Sequence, residues 1–155
     1  MLVYLVRHGE AFSKLEDPSR PLSRTGDAQI NMLAELLTRR FMMMPGYIFS
    51  SPKSRAVQTA SILGRALART VTVQESDGLL PMDDPAVWAQ RLENTDMDTM
   101  LVGHLPHLSC LASLLLMADS GIQILDFTPG TVVCLEKTGS WRVRWMISPD
   151  TLKNT

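Results

Sequence analysis

The sequence predicts an α/β protein: a three-layer α/β/α sandwich built on a mixed, mostly parallel sheet. Three observations carry that expectation. Short apolar runs at 2–6, 47–50 and 99–103 are too brief for helices, and each is followed by a segment with apolar residues at helical spacing. Near the end, Thr131–Glu136, the turn Lys137-Thr138-Gly139-Ser140 and Trp141–Trp145 read as a hairpin, so at least one strand must run against the others. The length of 155 residues suits one domain with its own core, and no repeat, low-complexity segment or linker divides it, so 1–155 reads as a single domain.

Taken in order, the elements have local reasons. Leu2-Val3-Tyr4-Leu5-Val6 is rich in β-branched and aromatic residues, and it delivers Arg7 and His8 to Gly9, where the backbone can turn. A polar loop from Ala11 to Pro21 follows. Ser23 then caps a helix whose Ile30, Leu33, Ala34, Leu37 and Phe41 form a core stripe, and Met42, Met43 and Met44 with Pro45-Gly46 end it, the methionines as gap fillers. After the strand Tyr47-Ile48-Phe49-Ser50, Ser51 is placed to cap a second helix, with Pro52 at its first position, Arg55 in its opening turn, and Ala56, Ala60, Leu63 and Leu67 on one face. A short strand near 71–74 leads to an acidic loop and a helix near Pro85 to Asn94 that is expected to cover an edge. The run Thr99–Gly103 ends at His104, and Pro106 opens a helix with Leu108, Leu111, Ala112 and Leu115 on one face, where Leu114 and Leu116 point to deeper burial.

In an open α/β sheet, ligands bind beyond the carboxyl ends of the strands. Three such ends present Arg7-His8, Arg55 and His104, which converge in this topology on one cationic pocket. Separately each has a plainer reading: an arginine paired with a carboxylate or left in solvent, and loop histidines satisfied by the backbone. Together they suggest phosphoryl chemistry, because the planar fork of arginine matches phosphoryl oxygens and neutral imidazole is a capable nucleophile toward phosphorus.

The motifs Arg7-His8-Gly9-Glu10, Ser51-Pro52 with Arg55-Ala56 and Gln58-Thr59, and Gly103-His104, in this order, resemble the histidine phosphatase superfamily, also called phosphoglycerate mutase-like. Arg20-Pro21-Leu22-Ser23 with Gly26, His104-Leu105-Pro106 and the closing Trp145-Met146-Ile147-Ser148-Pro149 resemble its small SixA-type phosphohistidine phosphatases. The resemblance spans essentially the whole chain. It implies a phosphoglycerate mutase-like sandwich in which His8 attacks phosphorus to give a phosphohistidine intermediate, while Arg7, Arg55 and His104 hold the phosphoryl oxygens. It further implies Arg20 near the pocket mouth, with Gly9 and Leu105 along the substrate, and no metal or organic cofactor.

Many relatives place a glutamate in the loop after the third strand as general acid. In the corresponding segment 75–84, no residue matches that acid, and Asp77, Asp83 and Asp84 read as solvated loop or helix-capping residues. A phosphorylated imidazole tolerates this, since its departing nitrogen can carry its own proton near neutral pH. The implied substrate is therefore phosphohistidine on a signalling protein, a histidine phosphotransfer domain in histidine-to-aspartate signalling. A small phosphoester is the second reading, and a phosphoprotein-binding module without turnover is the third.

Composition argues against other classes. A net charge of -1, 45% hydrophobic and 20% charged residues ask for neither nucleic acid nor membrane as partner. Cys110 and Cys134 lie in apolar stretches and make no disulfide framework. His104 and His107 are separated by Pro106, so they do not share a helical face, and no cysteine or carboxylate pair accompanies them as a metal would require. His107 reads as a pocket-rim residue or a helix-start surface group. The amino terminus lacks the pattern of a signal peptide and no run reaches membrane-spanning length, which leaves the cytoplasm as the expected compartment.

Overall fold

Residues 3–6 of the first strand are all buried, and that burial explains why the run is continuously apolar. In the computed structural model, which describes residues 1–67 and 70–152, β1 (Leu2–Arg7) sends Tyr4 and Val6 into one apolar cluster and Val3 and Leu5 into another on the opposite face. Residues 68–69 and 153–155 of the expected 1–155 domain lie outside the described residues.

The remaining strands are β2 (Tyr47–Ser50), β3 (Val73–Glu75), β4 (Thr99–Gly103), β5 (Val132–Thr138) and β6 (Ser140–Ile147). They form one six-stranded sheet in the order β3-β2-β4-β1-β5-β6. β1 and β2 both lie parallel to β4, whereas β5 runs antiparallel to β1 and to β6. The sheet is mixed and mostly parallel, as the terminal hairpin required. Its turn uses Gly139 at φ 92°, a left-handed conformation that suits glycine.

Helices cover both faces. α1 (Arg24–Leu36) and α2 (Ser54–Leu67) bury Ile30, Leu33, Ala60 and Leu63 against Tyr4, Val6, Met100 and Val102. On the other face α3 (Pro85–Glu93) and α4 (His107–Met117) bury Trp88, Leu92, Leu108 and Leu111 against Val3, Leu5 and Leu101. A last turn, α5 (Pro149–Leu152), rests by α1. Among the described residues no helix is long and apolar enough to cross a membrane.

Several boundaries differ from expectation. α1 stops at Leu36 and passes into a π-type turn over Leu37–Phe41, whose wider winding moves Phe41 out of the core stripe to pack on Trp145 with ring centroids 4.6 Å apart. Of the three methionines only Met43 fills the core, because the chain turns left-handed at Met42 and leaves Met42 and Met44 exposed. α3 does not cover an edge: Trp88 packs at a tilt against Phe49 of β2, 5.0 Å between centroids, which places the helix on the face with α4. Leu114 and Leu116 are half-buried, and so is Cys110, while Cys134 is fully buried and both thiols are free.

The approach of α1 to the end of β1 allows no side chain. Ser23 caps the helix by accepting from the Gly26 N–H, and a Cβ added at Gly26 would lie 2.0 Å from the carbonyl oxygen of Glu10. Gly26→Ala should therefore cost about 3 kcal/mol or more, since the clash is with backbone. Gly139→Ala, where a Cβ meets nothing within 4 Å, should cost only the left-handed penalty of about 1–2 kcal/mol. Urea unfolding of the two variants checks the difference, and equal losses would refute it.

Candidate active site

Backbone hydrogen bonds place the site before any side chain acts. The His8 N–H donates to the Gly103 carbonyl at 3.0 Å and the Ser51 N–H to the Val102 carbonyl at 2.9 Å, so β1 and β2 both continue past their ends against β4. From the other side, the Gly130 N–H donates to the His8 carbonyl at 3.0 Å, with Gly130 at φ 79°. α2 braces the turn after His8: the Gly9 N–H donates to Thr59 Oγ1 at 3.1 Å, and Gln58 Oε1 accepts from the Leu22 N–H at 2.7 Å. Glu10 serves the same loop, accepting from the Ser23 hydroxyl at 2.8 Å and through its carbonyl from the Ser23 N–H.

Within this frame Arg7, His8, Arg55 and His104 come together. His8 Nδ1 lies 2.7 Å from the Gly9 carbonyl, which can only accept, so Nδ1 carries the proton and Nε2 keeps its lone pair. Nε2 accepts from Arg55 Nε at 3.2 Å. The His104 ring sits 5.0 Å from the His8 ring, centroid to centroid, and its Nε2 is 2.7 Å from the Ser51 hydroxyl. Among the described residues His104 Nδ1 and Arg7 Nε have no hydrogen-bond partner, although Arg7 donates through another guanidinium nitrogen to the Phe127 carbonyl.

Charge in the pocket is arranged to keep both imidazoles neutral. Burial, reinforced by Arg55, Arg7 and Arg20, holds His8 down at about 4 against the opposing pull of the Gly9 carbonyl. Burial likewise pushes His104 down to about 3, helped by His8, Arg55 and Lys53. Arg7 and Arg55 are lowered chiefly by burial as well, and for Arg55 the neighbouring Arg20 adds to it. A neutral imidazole whose Nε2 is unprotonated, faced by guanidinium groups, suits attack on an electrophile that carries negative oxygens.

The other candidate residues take different places. Arg20 lines the mouth with Arg55, in a left-handed conformation at φ 49°, its Nε donating to the Phe12 carbonyl at 3.0 Å. Both backbone polar groups of Gly9 are used internally, which makes it a support for His8. Leu105 is half-buried against the second apolar cluster, ahead of a cis bond to Pro106. His107 is neither rim nor surface: it is 1% exposed, and neither ring nitrogen has a partner among the described residues. The segment carrying Leu79 returns across the end of β4, its carbonyl 3.3 Å from where a Gly103 Cβ would lie, and Asp83 and Asp84 are the charges felt at His107. Asp77 pairs with Arg91 at 2.8 Å, Asp84 caps α3 through the Ala86 N–H, and Asp83 accepts from the Leu80 N–H at 2.9 Å. Among the described residues no three His, Cys, Asp or Glu side chains gather as a metal site would need.

Ser51 is the residue that sequence reasoning assigned to the wrong task. α2 begins at Ser54, and the Lys53 carbonyl receives the Ala56 and Val57 N–H groups, so Ser51 is not its cap and Pro52 is not its first residue. Ser51 is buried against His104 instead. The available signal was its position immediately after a strand end, shared with His8 and His104.

Comparison with known proteins agrees with this architecture. The family model of the histidine phosphatase superfamily (branch 1) matches residues 3–83, just over half of the chain. The fold is similar to that of the protein histidine phosphatase SixA solved with tungstate, at 25% identity and a TM-score of 0.83, covering 98% of this chain and 99% of that one. It is also similar to a putative phosphohistidine phosphatase SixA from Agrobacterium tumefaciens, at 24% identity and TM-score 0.78, covering 96% and 97%. A mycobacterial glucosyl-3-phosphoglycerate phosphatase solved with VO3 shares the fold at 18% identity and TM-score 0.75, covering 95% and 99%. No curated protein matches the chain in sequence.

The depressed histidines make stability depend on pH. An unfolded imidazole takes up its proton near 6.5, whereas His8 and His104 resist until about 4 and about 3, so the unfolded chain binds more protons as pH falls. Stability should be fully present above about pH 6.5 and decline toward about pH 4 for the His8 part and about pH 3 for the His104 part. Urea unfolding across that window should show a shallower decline for His8→Gln and His104→Gln, and an unchanged slope in both would refute the assignment.

Proposed function

The chain belongs to the histidine phosphatase superfamily, and on that premise we propose that it is a phosphatase working through a covalent phosphohistidine on His8. The observation that carries this reading is the His8 ring itself: Nδ1 is tied to the Gly9 carbonyl and Nε2 is left as an acceptor facing Arg55. Nε2 attacks phosphorus as the bond to the leaving group breaks, while Arg7, Arg55 and His104 take the phosphoryl oxygens. Nδ1 keeps its proton and goes on donating it to the Gly9 carbonyl, which stabilises the imidazolium character of the phosphorylated ring. Water then attacks the same phosphorus, the P–N bond breaks, and Nε2 regains its lone pair as inorganic phosphate leaves. These side chains carry the step without metal or organic cofactor. The tungstate and VO3 in the similar phosphatases are oxyanions of the kind this pocket would hold.

The preferred substrate is phosphohistidine on a protein, such as a histidine phosphotransfer domain. What supports it is the condition of the acidic loop: Asp77 is engaged by Arg91, Asp84 by the α3 amino terminus and Asp83 by the Leu80 N–H, which leaves an alkoxide leaving group without a prepared acid. A phosphorylated imidazole brings its own proton. One observation favours a small phosphoester instead, since Asp83 also lines the mouth beside Arg55.

His8→Ala should abolish both turnover and the acid-labile phosphoenzyme, whereas Arg55→Ala should keep slow turnover after a loss of about 10²-fold to 10³-fold, the scale of a key electrostatic donor. Trapping phosphorus-32 on the chain reads both, and normal turnover in the His8 variant would end the covalent mechanism.

The leaving group separates the two substrate readings. Alanine at Asp77, Asp83 or Asp84 should each slow phosphohistidine hydrolysis by far less than the roughly 10²-fold to 10⁴-fold that an acid catalyst contributes. Alkyl phosphates should be poor substrates for the same reason. Fast alkyl-phosphate hydrolysis that collapses in the Asp83 variant would establish the phosphoester reading.

A further inference from the structure

The mouth of the pocket holds more positive charge than the transfer of one phosphoryl group uses. Lys14, Arg20, Lys53 and Arg55 line a single cleft of about 470 Å³, contributed by the loop after β1 and the segment after β2. Among the described residues none of the four has a carboxylate at ion-pairing distance, although Arg39, Arg91, Lys137, Arg142 and Arg144 all do. Asp83 shares the lining, but its Oδ2 is occupied by the Leu80 N–H.

These cations are held together against their mutual repulsion. Arg20 keeps a left-handed backbone at φ 49°, uncommon for a residue with a side chain, and the Phe12 carbonyl anchors its Nε at 3.0 Å. Its charge is felt at both His8 and Arg55, and that of Lys53 at His104. In a chain of net charge -1, a cleft with four cations against the single carboxylate of Asp83 focuses a field that attracts anions. Arg7, Arg55 and His104 already suffice for the phosphoryl oxygens, which leaves Lys14, Lys53 and Arg20 beyond them.

We infer that Lys14, Arg20 and Lys53 form a subsite for a second anionic group, a carboxylate or phosphate that the substrate carries beside the phosphoryl group being transferred. The inference rests on the reading that His8 receives that phosphoryl group. Two sources share this chemistry: an acidic side chain next to phosphohistidine in a protein, and the second acidic group of a small metabolite. Selection works through capture of the substrate, so it acts on KM and fades with salt.

The test uses N-phosphorylimidazole, which has no second anion, phosphohistidine peptides flanked by Glu or by Gln, and an aryl phosphate with and without a carboxylate substituent. The wild-type chain should favour the anion-bearing member of a pair by about fivefold in kcat/KM, the scale of a few exposed ion pairs acting together. The double variant Lys14→Gln, Lys53→Gln, altered at two exposed side chains, should lose that preference while its turnover of N-phosphorylimidazole changes by less than about twofold. A preference confined to the peptides identifies a protein substrate, and one confined to the aryl phosphates a small molecule. Turnover of the phosphoryl donors with no preference in either pair, or a preference that survives in the double variant, overturns the subsite alone. Failure to turn over any of the donors overturns the phosphatase reading and the subsite with it.

Discussion

The pocket depends on two consecutive carbonyls of one strand. Val102 and Gly103 of β4 accept the N–H groups of Ser51 and His8, and the strand itself runs on into His104. Because β1 and β2 flank β4 in parallel, with Arg7 opposite Gly103 and Ser50 opposite Val102, the three strands finish at one level. A slip of one residue between β1 and β4 would turn every side chain of β1 to the other face, exchanging two buried apolar sets. The core therefore enforces the register, and the register aligns the site. Arg55 follows because α2 leaves from the same rim.

Gathering Arg7, Arg55, His8 and His104 at buried and half-buried positions is electrostatically unfavourable, and the molecule limits the cost by keeping the imidazoles neutral. Burial and the guanidinium groups act in the same direction on both rings. The Gly9 carbonyl acts against them at His8, and it also determines which nitrogen holds the proton. One hydrogen bond thus decides the tautomer and aims the lone pair. The same charges that depress His8 would be balanced by a bound oxyanion, so the repulsion among these groups and their affinity for an anion have one origin.

Packing around the acidic segment divides the two sides of the mouth. Gly78 at φ 75° turns the chain, Trp88 donates to the Asp77 carbonyl at 3.1 Å, and Arg91 lies over the Trp88 ring at 5.0 Å while pairing with Asp77. These contacts commit Asp77 to α3. They also hold the segment whose Leu79 carbonyl crosses the end of β4.

Local patterns determined the class of the fold and the identity of the four converging residues. β1 and β4 are legible because strands buried on both faces are continuously apolar, and Arg7, His8 and His104 because they stand directly at the ends of such runs. The hairpin announced its reversal through its turn residues. Tertiary structure alone decided what depends on distant partners. Ser51 looked like a cap because serine before proline usually is one, yet a histidine more than fifty positions away claims its hydroxyl. Phe41 kept helical spacing until a π turn moved it, and Asp77 became an ion-pair partner once α3 packed against its loop. Spacing along the chain records which face a residue occupies; which partner it meets there depends on contacts between segments that the spacing does not contain.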